Sequence, residues 1–158
     1  MTHEREHPEP KRPHRVIAER VREIRNARGL TGARLAEEMT EAGIKWDRSV
    51  VANLENGRRS TISVEELLTL AYVLNVAPVH LIVPLDPDGW YSVTPDAATT
   101  NEHARAWIRG TAALPGTDER KYFSEVPEEE WKRFNDRQRE IERQLGEAGI
   151  IRKEDETP

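Results

Sequence analysis

The sequence predicts an all-α fold, and three observations carry that prediction. Apolar residues recur at helical spacing in five short runs between residues 15 and 84. Each run is opened by a capping residue or proline, or closed by a glycine. The only β signal is one short stretch at residues 91–93. Helices this short are marginal alone in water, so they must be held by packing around one shared core. A chain of 158 residues has room for one well-buried domain and a smaller appendage, but not for two large domains.

The elements follow in order. In residues 16–28, Ile17, Val21 and Ile24 share one face, and Gly29 is the stop. Thr31 is placed to cap a second helix running to about residue 41, with Leu35, Ala36 and Met39 inward and Gly43 ending it. The connection Gly43-Ile44-Lys45-Trp46 leads to Asp47, an N-cap for a third helix through Asn56 that Gly57 terminates. Ser63 and Glu66 have the spacing of a capping box for a fourth helix to Leu74, with Leu67, Leu70, Ala71 and Leu74 inward. A fifth, short helix over residues 78–82 closes the domain. Residues 1–14, with Pro8, Pro10 and Pro13 among charges, read as a disordered N-terminal arm. Residues 85–126 read as a linker with one short helix at 101–109, residues 127–148 as an amphipathic C-terminal helix, and residues 149–158 as a tail.

Composition removes several classes of function. The chain has no cysteine, which excludes disulfides, thiolate nucleophiles and cysteine-ligated metal centres. No stretch approaches the roughly 18 apolar residues of a membrane span, and the first thirty residues lack the apolar centre of a signal peptide, so a cytoplasmic protein without membrane contact is expected. The net charge of −5 is unevenly spread: residues 85–158 carry 11 Lys+Arg against 17 acids, whereas residues 15–84 carry 10 against 9. Acidity concentrated in the C-terminal half leaves the middle domain able to present a basic face.

The most informative pattern is an ordered composite. Gly29-Leu30-Thr31 is followed by Leu35-Ala36, then by the run from Arg48 to Arg59, then by Leu67 through Leu74. This composite resembles the Cro/lambda-repressor-like (Xre) helix-turn-helix family over residues 15–84. The long turn and the later Trp107-Ile108-Arg109-Gly110 segment are similar to an actinobacterial or actinophage subgroup. The resemblance implies a five-helix lambda-repressor-like DNA-binding domain with a helical C-terminal extension, and a sequence-specific transcriptional regulator, in the manner of a repressor, that acts by occupying an operator on double-stranded DNA. It also implies that the helix after Asp47 is the recognition helix. One helix fits the major groove and its outward residues meet base edges.

Val51 and Leu54 must point inward to anchor that helix, leaving Arg48, Ser49, Ala52 and Asn53 outward as candidate base contacts. Arginine can bond guanine with two donors, asparagine can pair bidentately with adenine, and serine is permissive. An ordinary polar surface is the competing reading of those four residues. By the resemblance, Asn56, Arg58 and Arg59 meet the phosphate backbone, which supplies affinity and register rather than sequence information. Arginines in a loop also serve solubility alone. Two departures from the family pattern stand out. The segment from Met39 to Arg48 is longer than the commonest turn, and Gly32 occupies a position where a phosphate-binding glutamine is frequent, leaving only its backbone N–H for a phosphate. The resemblance further implies that Arg25 and Glu55 form a structural pair between the first and third helices.

In the C-terminal helix, Trp131, Phe134, Gln138, Ile141, Leu145 and Ala148 alternate spacings of three and four, a short seam. Folding back on its own domain, homodimerisation and another partner all remain open for it. His3-Glu4-Arg5-Glu6-His7 matches H-E-x-x-H only formally, since zinc chemistry needs both histidines on one stable helix and a third ligand. His80 and His103 are isolated. No enzyme, cofactor or metal is implied. The alternative function is a non-enzymatic protein-interaction module on a helix-turn-helix fold, antitoxin-like or an assembly factor.

Overall fold

The structure is a computed structural model, and it describes residues 9–147. It divides into two compact units, up to Thr117 and from Asp118. The H-E-x-x-H stretch, most of the expected N-terminal arm, Ala148 and the tail lie outside the described residues.

The first unit opens with α1 (Pro13–Ala27), α2 (Gly32–Glu41), α3 (Arg48–Glu55), α4 (Val64–Val73) and α5 (Pro78–Ile82). Helix α1 begins two residues before the expected boundary because Pro13 sits at its start, where a missing N–H leaves nothing unsatisfied. Pro13 and His14 are therefore helical and not part of an arm. Thr31 caps α2 through the N–H of Arg34, Asp47 caps α3 through those of Ser49 and Val50, and Ser63 with Glu66 forms a capping box on α4. Their apolar faces meet in one core: Ile17, Val21 and Ile24 from α1; Leu35, Ala36 and Met39 from α2; Val51 and Leu54 from α3; Leu70 and Ala71 from α4, with Leu74 and Leu81. Leu67 is only partly buried and packs at the margin of this core.

The long turn before α3 is ordered by two internal anchors. Trp46 is buried in the core, and the Thr40 hydroxyl bridges its backbone, accepting from Trp46 N at 3.2 Å and lying 3.0 Å from Trp46 O.

Beyond Pro84 the structure corrects the expected linker. Residues Trp90–Ser92 (β1) and Ala98–Thr100 (β2) form an antiparallel hairpin in the register Trp90 to Thr100, Tyr91 to Thr99 and Ser92 to Ala98, followed directly by α6 (Asn101–Ile108). The described part of the chain is thus mostly helical with one small sheet. Lys11 adds to that hairpin, donating its N–H to Trp90 O at 2.9 Å and accepting from Ser92 N at 3.0 Å. A second core of Val16, Val79, Val83, Tyr91 and Ala104 ties hairpin and α6 to α1 and α5. Arg105 clasps the end of α5, donating to Val83 O at 2.8 Å, Pro84 O at 2.7 Å and His80 Nδ1 at 3.0 Å. Gly89 lies close against the Asn101 side chain, which donates to Asp86 O, and a Cβ there would force that amide to shift.

The second unit contains α7 (Glu119–Ser124), which the sequence reading missed, and α8 (Glu128–Glu147). Asp118 caps α7 through the N–H groups of Arg120 and Lys121. Phe123 packs on Trp131 with ring centroids 4.9 Å apart, and Trp131 stacks on Phe134 at 5.8 Å.

Candidate nucleic-acid interface

Helix α3 is anchored by Val51 and Leu54, which are almost fully buried. Their inward placement leaves Arg48, Ser49, Ala52 and Asn53 exposed together on the opposite face. An eight-residue helix presents only about two turns, so these four residues are most of its outer surface. The Ser49 hydroxyl donates to Asp47 Oδ1 at 2.6 Å. That bond, with those from the Val50 and Ser49 N–H groups, holds the Asp47 carboxyl below its usual range. Ser49 therefore meets a ligand as an acceptor, while Arg48 and Asn53 bring donors.

The residues after α3 fall into two kinds. Arg58 is exposed. Arg59 is held instead: one of its terminal nitrogens donates to both Glu66 oxygens, at 2.6 and 2.8 Å, and its guanidinium lies 5.5 Å from the centroid of the Trp46 ring. Glu66 also accepts from Ser63 N at 2.9 Å and from the Trp46 indole at 3.0 Å. Burial pushes the Glu66 carboxyl up, but these bonds outweigh it and leave the pKa below the usual value. The other terminal nitrogen of Arg59, Nη1, is buried without a hydrogen-bond partner among the described residues. Expected as a free phosphate contact, Arg59 is thus tethered to the cap of α4.

Asn56 is the exposed C-cap of α3 and shares a shallow cleft with His14, Arg15 and Gly57. Gly32 is the first residue of α2 and half-buried; a Cβ there would meet Val51 Cγ1 at an ordinary 3.6 Å, so packing does not demand glycine.

Arg25 and Glu55 meet across α1 and α3 in a two-pronged pair of 2.6 and 2.8 Å, and Arg25 also donates to Leu30 O at 2.6 Å. The hydrogen bond from Glu55 raises the Arg25 pKa despite burial. Both side chains are mostly buried, at 14% and 9% exposed, so the pair fixes how α3 stands on α1.

Two further basic residues, not singled out from sequence, border the candidate surface. Lys45 lines one cleft with Asn53, Arg58 and Arg59, and Arg15 sits beside Asn56. A basic residue within a loop or at a helix start carries no positional signal; only the folded turn brings Lys45 alongside α3.

Residues 16–82 match a family model described as a helix-turn-helix domain. Among solved structures, the chain is similar to the restriction-modification controller protein C.AhdI from Aeromonas hydrophila, with 34% identity over 43% of this chain and 94% of that one and a TM-score of 0.38. It is also similar to a hypothetical transcription factor, NHTF, from Neisseria, with 26% identity over 51% of this chain and 85% of that one and a TM-score of 0.43. No curated protein matches the chain. Among the described residues no helix is long and apolar enough to cross a membrane, and no acid and histidine cluster has the makings of a metal site. Through residues 16–82, then, the chain is similar to the helix-turn-helix domain family.

Proposed function

We propose that the chain is a sequence-specific DNA-binding transcription regulator of the Xre type, working without catalysis by occupying an operator. The observation that carries this reading is the joint exposure of Arg48, Ser49, Ala52 and Asn53 on the outer face of a helix whose inner face is locked into the core. In this reading α3 enters the major groove, where Arg48 and Asn53 read bases, Ser49 accepts a bond and Ala52 allows close approach. Arg58, Asn56, the N–H of Gly32 and, on release from Glu66, Arg59 attach the phosphates. Lys45 and Arg15 widen that basic margin. The seam of α8 joins two copies, so that paired heads read two half-sites.

Selection from a randomised-site library tests the reading. The wild-type chain is expected to enrich one motif. Losing a bidentate base contact costs about 1 to 3 kcal/mol of discrimination, so Arg48→Ala and Asn53→Ala each relax one or two base pairs of it. A motif and affinity unchanged in both variants would show that α3 is not the reader.

A second reading, a protein-interaction module on the same fold, draws on one observation. Val64, Leu68 and Tyr72 make an exposed apolar row on α4, with Tyr72 80% exposed. It gains ground if the library yields no motif at all.

A further inference from the structure

We propose that α8 pairs with α8 of a second copy of this chain in a parallel, in-register arrangement along Phe134, Gln138, Ile141 and Leu145. This rests on the dimeric form of the reading above and gives it an orientation and a register.

Helix α8 buries none of its residues, and Ile141 in mid-seam is 43% exposed. At the N-terminal end of the seam Trp131 packs on Phe123 and on half-buried Phe134 yet stays 38% exposed, so the apolar row remains open along its length. The charges of the helix divide by face. On the side away from the seam, Arg143 pairs within the helix with Glu140 at 2.7 Å and Glu147 at 2.5 Å. Arg137 and Glu142 flank the seam on its two sides, and neither enters a salt bridge among the described residues. Five residues apart, they cannot face each other on one helix.

Across a parallel pair, a residue on one flank faces the residue five positions later on the other flank of the partner. Arg137 then meets Glu142 of the second copy, and two-fold symmetry makes the contact twice. In an antiparallel pair with the seam fully overlapped, Arg137 meets Arg137 or Gln144 of the other copy, which offers repulsion or nothing. Gln138 strengthens the same choice. In register, the two Gln138 side chains face each other and can exchange hydrogen bonds, and a polar residue at such a seam position fixes register by penalising every slip.

The chain has no cysteine, so a single introduced thiol reads the geometry cleanly. Full-length Leu145→Cys, with wild-type circular dichroism, is oxidised mildly and run without reductant. The parallel pair brings the two thiols together, and the expected result is a predominantly disulfide-linked dimer. In the antiparallel alternatives the two positions lie more than about 15 Å apart, beyond a disulfide's Cα reach of about 7 Å. In parallel, Arg137→Glu and Glu142→Arg are each expected to weaken the dimer about tenfold at low salt, and the double swap to restore it, as read by sedimentation velocity. A monomer at tens of micromolar, a dimer that does not cross-link through residue 145, or a double swap without rescue each overturns the pairing. Site selection on the same proteins separates the two readings: a motif with no cross-link leaves DNA reading standing and removes this geometry, and a cross-link with no motif does the reverse.

Discussion

Glu55 shows how one residue can be structural and yet decide the use of a surface. Its carboxylate lies at the end of α3, receives two bonds from Arg25 and is nearly buried, so it sets the angle at which the outer face of α3 is offered. Removing one partner leaves the other as an uncompensated buried charge, at about 3 to 5 kcal/mol. Glu55→Ala and Arg25→Ala are each expected to lower Tm clearly in thermal unfolding, and an unchanged melting curve for both would refute a stabilising pair. Arg59 illustrates the opposite case. Its identity and place suggest a phosphate ligand, but Glu66 and Trp46 were beyond sequence reach because they approach it from other elements.

In the proposed reading, α3 and the loop after it divide labour by position. Arg48 and Asn53 stand on α3 itself, whereas Arg58 lies past the Gly57 stop, where the chain turns away from the helix. Gly57 is one of the residues that must turn this way, with φ at 69°, a conformation that costs a side chain energy. Arg58→Ala is therefore expected to weaken binding to all sequences alike and to lower the slope of log affinity against log salt by about one. Fluorescence anisotropy against the selected site and a scrambled site at several salt concentrations measures both. A loss confined to the selected site would move Arg58 among the base readers.

At the scale of the first unit, the hairpin and α6 are not a linker but a second layer against α1 and α5, fastened by Arg105. His80 sits in that fastening as an acceptor from Arg105, with three cations near it: Arg20 from α1, and Arg105 and Arg109 at α6. Burial first, then those three charges, lower its pKa. A lowered imidazole pKa means that the folded state resists the proton the unfolded chain accepts. The stabilisation is whole above the ordinary imidazole value of about 6.5 and is lost as pH falls through that value toward the folded one. Between pH 7.5 and pH 5 the wild-type Tm is expected to drop by a few degrees more than that of His80→Asn, which cannot take up the proton. Equal drops would assign the acid sensitivity to other groups. Tyr91, at the centre of this layer, is pushed by burial up to about 12 and stays neutral throughout that range.

The extents of α2 to α5, the capping residues Thr31, Asp47 and Ser63, and the outward face of α3 were all legible in the amino-acid sequence. Each follows from local rules: a helical period, an oxygen placed to satisfy the first N–H groups, a glycine where the chain must turn left-handed. The pairing of the hairpin, the anchoring of Trp46 and the tethering of Arg59 were decided only by tertiary structure, and α7 was too short to read. Strands of three residues and a helix of six carry too few positions for a period, and the hairpin and the Arg59 tether persist because distant groups complete them: Lys11 on β1, Asn101 on Gly89 O, Trp46 and Glu66 around Arg59. Local chemistry marks where a helix can start and which way it must face, whereas contacts between residues far apart in sequence select which short segments become ordered and which charges remain free.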